Sequence, residues 1–324
     1  MKAKISVIIP VYGVEQYIER CIRSLFEQTL DNLEYIIVND CTPDDSMSVL
    51  KRVLEDYPHR KEQVKIICQP YNMGTAKARE MGIKAANGDY IIHCDSDDWV
   101  EKDAYSLMYH CAIEHGYDIV ISKYRETDGK NELNVVDQQL GQFPLRTVIK
   151  KPVLCSLYNK LVKRSIFTNN VIYYPVCHMM EDNALCVQMF YYTKKVGYLE
   201  YNQPLYNYYI NPNSICHTNS EQSHLKRWAD ATKNVQTVCQ FAKDMGFYKK
   251  YANEFLSLKA NARGFLMPLM QHNNKHYKKW INTFPELNWY YLFIKGTPLT
   301  LKLVFVLTEM GVYPAITKLK TKIV

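Results

Sequence analysis

No run of 18 apolar residues occurs in this chain of 324, so the sequence predicts no membrane-crossing helix. No leader is legible: the apolar run Ile5 to Val11 contains Pro10 and reads as a strand. No pair among the ten cysteines has CxxC spacing, which argues against a zinc ribbon or a dithiol redox site. Cys68, Cys94 and Cys186 sit in apolar runs, where a reduced thiol behaves as a small hydrophobe, and a reducing cytoplasm is the expected setting. The first apolar run is not followed by GxGxxG, and GxxxxGK[ST] is absent. A bound nucleotide must therefore have its phosphates held by metal and side chains. No nucleic-acid motif accompanies the net charge of +7, so no nucleic-acid partner is expected.

What is present is a globular composition, 47% apolar and 23% charged, enough for one large domain or two modest ones. The charge is unevenly placed. From Glu221 onward there are 16 Lys and Arg against 6 Asp and Glu, a balance of +10, so residues 1–220 carry −3. The reading in order begins with a buried strand, Lys4 to Val11, and a helix, Val14 to Thr29, with apolar residues at helical spacing. A strand, Glu34 to Asn39, and a helix from about Asp44 to Tyr57 follow. A third strand, Val64 to Gln69, a helix, Gly74 to Ala86, and a fourth strand, Tyr90 to Cys94, complete the pattern. This alternation predicts an α/β, Rossmann-like, doubly wound and mostly parallel sheet. Ligands then bind beyond the carboxyl ends of the strands, where Tyr12, Asp40, Asn72 and Asp95/Asp97 fall.

The fourth strand runs into Asp95-Ser96-Asp97-Asp98. Clustered carboxylates raise each other's pKa and are costly unless a cation sits among them, and hard ions such as Mg²⁺ or Mn²⁺ suit them. A solvated acidic turn with Asp98 as a helix N-cap is the alternative for an isolated DxD.

PVYGVEQYI, VNDCTPDDS, NMGTAKAREMGIKAANGDYI and HCDSDDW together resemble successive blocks of glycosyltransferase family 2, the GT-A fold. The resemblance covers about the first hundred residues. Gly13, Asn39, Cys41-Thr42 and Glu80 depart from the usual pattern. It implies that Pro10, Val11 and Tyr12 line the base, and that Asp40 and Arg79 help hold a nucleoside, usually uridine. Glu15, Asn72, Asp95 and Ser96 are placed on the same nucleotide-binding side. Asp97, with Asp95, is the expected ligand of Mn²⁺ or Mg²⁺. Ser156 to Phe167 resembles a later family segment, with Tyr158 where a Trp is usual. Glu181-Asp182 opens a helix, Asp182 to Tyr192, and resembles the family's ED pair, whose Asp is the catalytic base. Without the resemblance the pair would read as ordinary dipole complementation.

The expected organisation is a GT-A domain over residues 1–220 and a basic helical region over 221–324. The nucleotide-sugar half ends near residue 100 and the acceptor half follows. Asp98, Trp99 and Glu181 are expected on the acceptor or sugar side. Arg125 to Ile149 reads as a loop with short hairpins, and Val196 to Glu200 and Pro204 to Tyr209 as strands. His217 reads as a surface-loop histidine rather than a metal or diphosphate contact. Trp228, Val235, Phe241, Phe255, Leu258 and Phe265 are the candidate core of the helical region.

The implied function is inverting transfer of a sugar from a nucleotide-diphosphate sugar, a UDP-sugar by the family habit. The acceptor is a hydroxyl of a glycan or lipid-linked glycan, in assembly of a surface polysaccharide. A sugar-phosphate nucleotidyltransferase would need a Gly-rich basic turn where YGVEQY stands. A non-catalytic relative would be expected to lose Asp95, Asp97 and Asp182. The basic tail, with Trp280, Trp289 to Ile294 and Leu299 to Leu307, suggests peripheral contact with an anionic membrane at the inner face of the cell. A soluble lobe whose apolar residues pack inward is the alternative.

Overall fold

The computed structural model describes residues 2–211, 220–270, 275–293 and 299–312. Strand β1 (Ile5–Val11) is buried on both faces. Ile5, Val7, Ile9 and Val11 join one core and Ile8 the other, as an unbroken apolar run requires. α1 (Ile18–Phe26), β2 (Leu33–Asn39), α2 (Ser46–Asp56), β3 (Val64–Cys68), α3 (Thr75–Ala85) and β4 (Tyr90–His93) follow in the expected alternation. β1 pairs in parallel with β2 and β4, and β2 with β3. The first helix starts at Ile18 rather than Val14, because the preceding residues are tied to the loop after β2. Gly13 N donates to Thr42 Oγ1 at 2.8 Å and Val14 N to Ser46 Oγ at 3.1 Å.

The middle of the chain holds β5 (Trp99–Val100), α4 (Ala104–His115), β6 (Ile119–Ile121), β7 (Tyr124–Thr127), β8 (Glu132–Val136) and α5 (Pro144–Lys150). After these come β9 (Lys160–Lys163), α6 (Ser165–Thr168), α7 (Glu181–Tyr192), β10 (Val196–Tyr198) and β11 (Tyr206–Tyr209). The main sheet has the order β10-β6-β9-β4-β1-β2-β3, and β9 alone runs antiparallel to its neighbours. A second sheet, β5-β11-β7-β8, stands beside the end of β4. Two features differ from the sequence reading. Residues 125–149 contain a helix, α5, besides the hairpin β7–β8, and the segment after Ser156 supplies the strand β9.

α3 and α7 cover one face of the main sheet, and α1, α2 and α4 the other. α3 lies very close to β1: a Cβ on Gly82 would come within 2.4 Å of Ile8 Cγ2. That approach fixes the depth at which Arg79, three residues earlier on α3, enters the sheet edge.

The last helices are α8 (Glu221–Asp244), α9 (Ala252–Gly264), α10 (Met267–Met270), α11 (Tyr277–Asn282) and α12 (Leu299–Glu309). α8 opens on a capping box in which Ser220 and Ser223 exchange side-chain and backbone hydrogen bonds. Val235, Val238 and Phe241 of α8 and Phe255 and Leu258 of α9 share a core with Ile8, Ile36 and Ile91. Phe265 is partly buried against that core, while Trp228 belongs to a smaller cluster. The helical region is therefore continuous in packing with the main sheet. Trp280, expected at a membrane interface, is instead fully buried against Leu266 and Met270. Its indole N–H donates to Glu309 at 3.1 Å, and Glu309 is paired with the buried Arg263 at 2.8 Å. No described helix is long and apolar enough to cross a membrane.

Candidate active site

The carboxyl ends of β1, β2 and β4 meet at one edge. Tyr12 is exposed there, with Val11 buried behind it and Pro10 half-buried. Glu15 lies at the surface, and its carboxylate accepts the Asp45 N–H at 3.1 Å. Asp44 organises this loop pair. It accepts from Thr42 Oγ1, Ser46 Oγ and the Glu15 N–H. Burial pushes its carboxyl up, but those hydrogen bonds outweigh burial and hold it below its usual value.

Asp40, expected beside the nucleoside, has its contacts within the chain. It is buried, and its two oxygens accept the N–H groups of Met73 at 2.6 Å and Gly74 at 2.7 Å. Its observed work is to shape the 71–74 turn, on which Asn72 is exposed. Gly74 has φ +92°, and a Cβ there would lie 2.3 Å from the His178 ring, so only glycine fits between that turn and the segment before α7.

Arg79, expected on the same nucleoside side, makes its contacts with carboxylates of the chain. Its side chain is 4% exposed, and its guanidinium donates to Asp95 Oδ1 at 2.8 Å, Glu181 Oε1 at 3.0 Å and Asp182 Oδ1 at 2.6 Å. One cation from α3 thus joins the acidic loop after β4 to the acidic pair that opens α7. The planar fork of arginine permits this bridging, and a lysine ammonium would not reproduce it. Met180, just before the pair, is held at φ +62°, an uncommon conformation for a non-glycine residue.

The acidic residues have unequal environments. Burial, then repulsion by Asp182, pushes Glu181 up to about 8 against the pull of Arg79. Burial also raises Asp182, with Arg79 and Lys160 opposing and Asp95 adding to the rise. Burial thus raises both members of the pair, and Arg79 opposes the rise in each. Asp97 is pushed up to about 6 by burial and by Asp95. Asp98, expected on the acceptor or sugar side, is fully buried. It accepts from Tyr206 Oη at 2.5 Å and the Tyr209 N–H at 2.7 Å, and so locks the acidic loop to β11. The same Tyr206 hydroxyl accepts the Asp95 N–H at 3.1 Å, and Tyr158 stacks on its ring at 4.3 Å. Ser96 is buried within the loop.

Sequence reasoning missed Arg20. Its guanidinium lies 3.7 Å over the Trp99 ring and 5.0 Å from the Tyr209 ring, and it donates to the Asp97 carbonyl at 2.9 Å. Arg20 on an amphipathic helix reads as a solvated charge, and only the fold brings it to Asp97. Trp99 is half-buried beneath it. His217, with Asn213 and Ser214, lies outside the described residues.

Among the described residues no three His, Cys, Asp or Glu side chains converge as a metal cage. Asp95 and Asp97 still fit a hard divalent ion. They are two oxygen donors on one turn, and Asp97 has no ion pair among the described residues. Such a donor set leaves most of an octahedral shell to phosphate and water, which is how Mg²⁺ is usually bound.

The sequence model of the family described as glycosyl transferase family 2 matches residues 6–187, more than half the chain. The chain belongs to that family. It is 32% identical over 221 residues to the putative glycosyltransferase EpsH of Bacillus subtilis, covering 65% of this chain and 62% of EpsH. Staphylococcus aureus TarS residues 1–349, solved with UDP, superposes with a TM-score of 0.70 at 17% identity, over 98% of this chain and 91% of that one. The mannosyltransferase PcManGT of Pyrobaculum calidifontis, solved with GDP-Man and Mn²⁺, has a TM-score of 0.53 at 14% identity, over 99% and 87%. The GT-A fold expected from the sequence is therefore the fold of this chain.

Proposed function

We propose that this family 2 member is an inverting glycosyltransferase that moves a sugar from a UDP-sugar to a hydroxyl of a glycan or lipid-linked glycan, in the assembly of a surface polysaccharide. The observation that carries the reading is the Arg79 junction. Asp95 and Asp182, 87 positions apart in sequence, are drawn to one guanidinium at the carboxyl edge of the sheet. The TarS complex with UDP and the name of EpsH support the nucleotide and the reaction class.

Asp182 accepts the proton of the acceptor hydroxyl as its oxygen bonds to the anomeric carbon and the bond to the UDP oxygen breaks. One displacement inverts that carbon. Glu181 keeps its own proton, so the pair carries a single negative charge beside Arg79. Asp97 and Asp95 would hold Mn²⁺ or Mg²⁺, which when bound would supply charge neutralisation for the leaving diphosphate. Arg20 holds the Asp97 backbone in place. Tyr12 and Asn72 are among the exposed side chains beyond the ends of β1 and β3, and they face the nucleoside in this reading.

A panel of nucleotide sugars, assayed for UDP release with Mn²⁺, tests the reading. Asp182→Asn should lose transfer by ~10²–10⁴ and keep its affinity for UDP. Absence of release from every donor, or full turnover in the variant, would overturn it.

We further propose that the acceptor is met at the inner surface of the cell membrane. Trp289, Phe293, Leu299 and Leu303 are exposed, Phe293 by 77% and Leu299 by 83%. Lys302 lies among them on α12 and caps the Leu292 carbonyl at 3.1 Å. Basic residues beside exposed apolar ones suit an anionic interface, at ~1 kcal/mol per Lys or Arg. The protein should sediment with anionic vesicles, less so at high salt. Equal recovery in the supernatant with anionic and neutral vesicles would refute the contact.

A further inference from the structure

The charges of α1 divide into two groups. Glu19 and Arg23 pair with each other at 2.9 Å and reach α2, where Glu19 meets Arg52 at 2.8 Å and Arg23 meets Asp56 at 2.8 Å. Arg20, in the first turn of the same helix, joins no ion pair among the described residues. Its Nη2 donates instead to a main-chain oxygen, the Asp97 carbonyl, at 2.9 Å and 77 positions away in sequence. The guanidinium lies 3.7 Å over the Trp99 ring and 5.0 Å from the Tyr209 ring, and Tyr209 in turn packs on Tyr17 at 5.3 Å. Its Nε is buried with no hydrogen-bond partner among the described residues. A guanidinium so placed has lost hydration and left a donor unsatisfied, which a place on the solvated face of α1 would avoid. What it holds is the simplest account of that cost.

The acidic loop is pinned at both ends by β11. The Asp95 N–H donates to Tyr206 Oη at 3.1 Å, and the Asp98 carboxylate accepts from Tyr206 Oη and the Tyr209 N–H. Between these ends the Asp97–Asp98 peptide is held at both of its polar atoms. Its N–H donates to the Asp95 carbonyl at 3.1 Å, and its oxygen accepts from Arg20. A peptide is planar, so two such bonds fix its plane, and that plane sets the backbone from which the Asp97 side chain leaves. Arg20 does this without an ion pair to the Asp97 carboxylate. The contrast is with Asp95, whose carboxylate is engaged by Arg79 at 2.8 Å.

We propose that Arg20 is a positioning residue for the divalent-ion site. From its seat on Trp99 and Tyr209 it fixes the Asp97–Asp98 peptide, and so presents the Asp97 carboxylate to an ion arriving with the diphosphate. This inference rests on the reading of Asp97 as an ion ligand. It makes the second sheet, through β5 and β11, part of what sets the ion site. A role through charge alone would have the opposite sign, because a fixed cation near Asp97 repels a divalent ion and its removal would tighten binding.

Mn²⁺ binding to the full chain in the presence of UDP, followed by the EPR signal of the free ion, tests it. Arg20→Met should weaken Mn²⁺ about 10-fold, while the affinity for UDP in EDTA stays within about twofold. In an Asp97→Ala background the same substitution should change the residual Mn²⁺ binding by less than about twofold, because the ligand it serves is gone. Circular dichroism reports folding of each variant. Unchanged or tighter Mn²⁺ binding in Arg20→Met, an equal loss of UDP affinity in EDTA, or multiplicative losses in the double variant would overturn the inference and leave the ion reading intact. Mn²⁺ binding that survives Asp97→Ala undiminished would overturn the ion reading itself, and the role of Arg20 with it. Should Arg20→Met not fold, Arg20→Lys enters the same cycle. It keeps a charged donor but not the plane that lies on Trp99, so it should weaken Mn²⁺ about threefold, and parental affinity would overturn the inference.

Discussion

At the end of β4, Asp97 has no ion pair among the described residues, and burial with Asp95 beside it pushes its carboxyl up to about 6. At the start of α7, Asp182 lies 2.6 Å from the Arg79 guanidinium, with Glu181 on the same nitrogen. Both clusters are acidic, and they share an edge of the sheet. Asp182, Glu181 and Asp95 share the Arg79 guanidinium built into the chain, while Asp97 leaves room for a cation from outside. The difference fits the roles proposed above for Asp182 and Asp97. A base must keep one geometry through every turnover, so its charge is balanced by a fixed guanidinium. A site for a diphosphate-bearing ligand must fill and empty with that ligand, so its charge is balanced only when the ligand and its metal arrive.

The largest expected effect comes from removing the shared cation. Arg79→Met would leave three carboxylates around a buried apolar side chain. Loss of one partner of a buried ion pair typically costs ~3–5 kcal/mol. Denaturant unfolding should show a loss of that order, and transfer should vanish. Arg79→Lys should restore part of the stability but little of the activity, because an ammonium cannot bridge Asp95 and Asp182 in the same plane. A variant within about 1 kcal/mol of the parent would mean that the two clusters are independent.

The first cluster was legible from the sequence and the junction was not. Alternating apolar runs place Asp95 and Asp97 at a strand end without any coordinates, since ligand sites in such sheets lie beyond the carboxyl ends. The first four strands and three helices follow for the same reason: their periodicity is local. Arg79 was legible as a residue of interest but was read as a nucleoside contact. Its three partners come from segments up to 103 positions away, and pattern carries no information on which strand end a helix side chain will reach. The partners of Asp40 were hidden similarly, because they are backbone N–H groups that no motif displays. Strand β9 was missed because Lys160–Lys163 is short, flanked by charge, and defined by its pairing with β4 and β6. Tyr158 and Tyr206 belong to that long-range class as well. Neither is chemical, yet their stacking supports the hydroxyl that locks Asp98 and the Asp95 N–H.

The next effect sharpens the open side of the comparison. Asp97 is raised in the folded state, so its charge destabilises the fold increasingly as pH rises from about 4 through about 6. A divalent ion bound there removes that cost and competes with the proton. With Mn²⁺ and UDP at 100 times the dissociation constant the stabilisation should be ~2.7 kcal/mol. The rise in Tm should be full at pH 7.5 and shrink below about pH 6. Asp97→Ala should lose the Mn²⁺-dependent part and keep its fold. A pH-independent rise in the parent, or an equal one in the variant, would place the ion elsewhere.

The smallest effect separates the two members of the closed cluster. Glu181 is pushed up to about 8 from an ordinary 4.5, so the folded chain holds a proton there that the unfolded chain has lost. The sign follows from linkage: a carboxyl raised in the folded state makes stability fall as pH rises from about 4.5 to about 8, with little change outside that window. Glu181→Gln is neutral at every pH and keeps an oxygen for Arg79, so it escapes the fall. The Tm of the variant should match the parent at pH 4.5 and exceed it at pH 8, by a few degrees for each ~1–2 kcal/mol recovered in a chain of this size. Transfer at pH 7 should change little, because the proton that Glu181 carries is not the one taken from the acceptor. A Tm difference that is constant across pH would show that Glu181 is ionised beside Asp182, and the distinction between a protonated neighbour and an ionised base would fail.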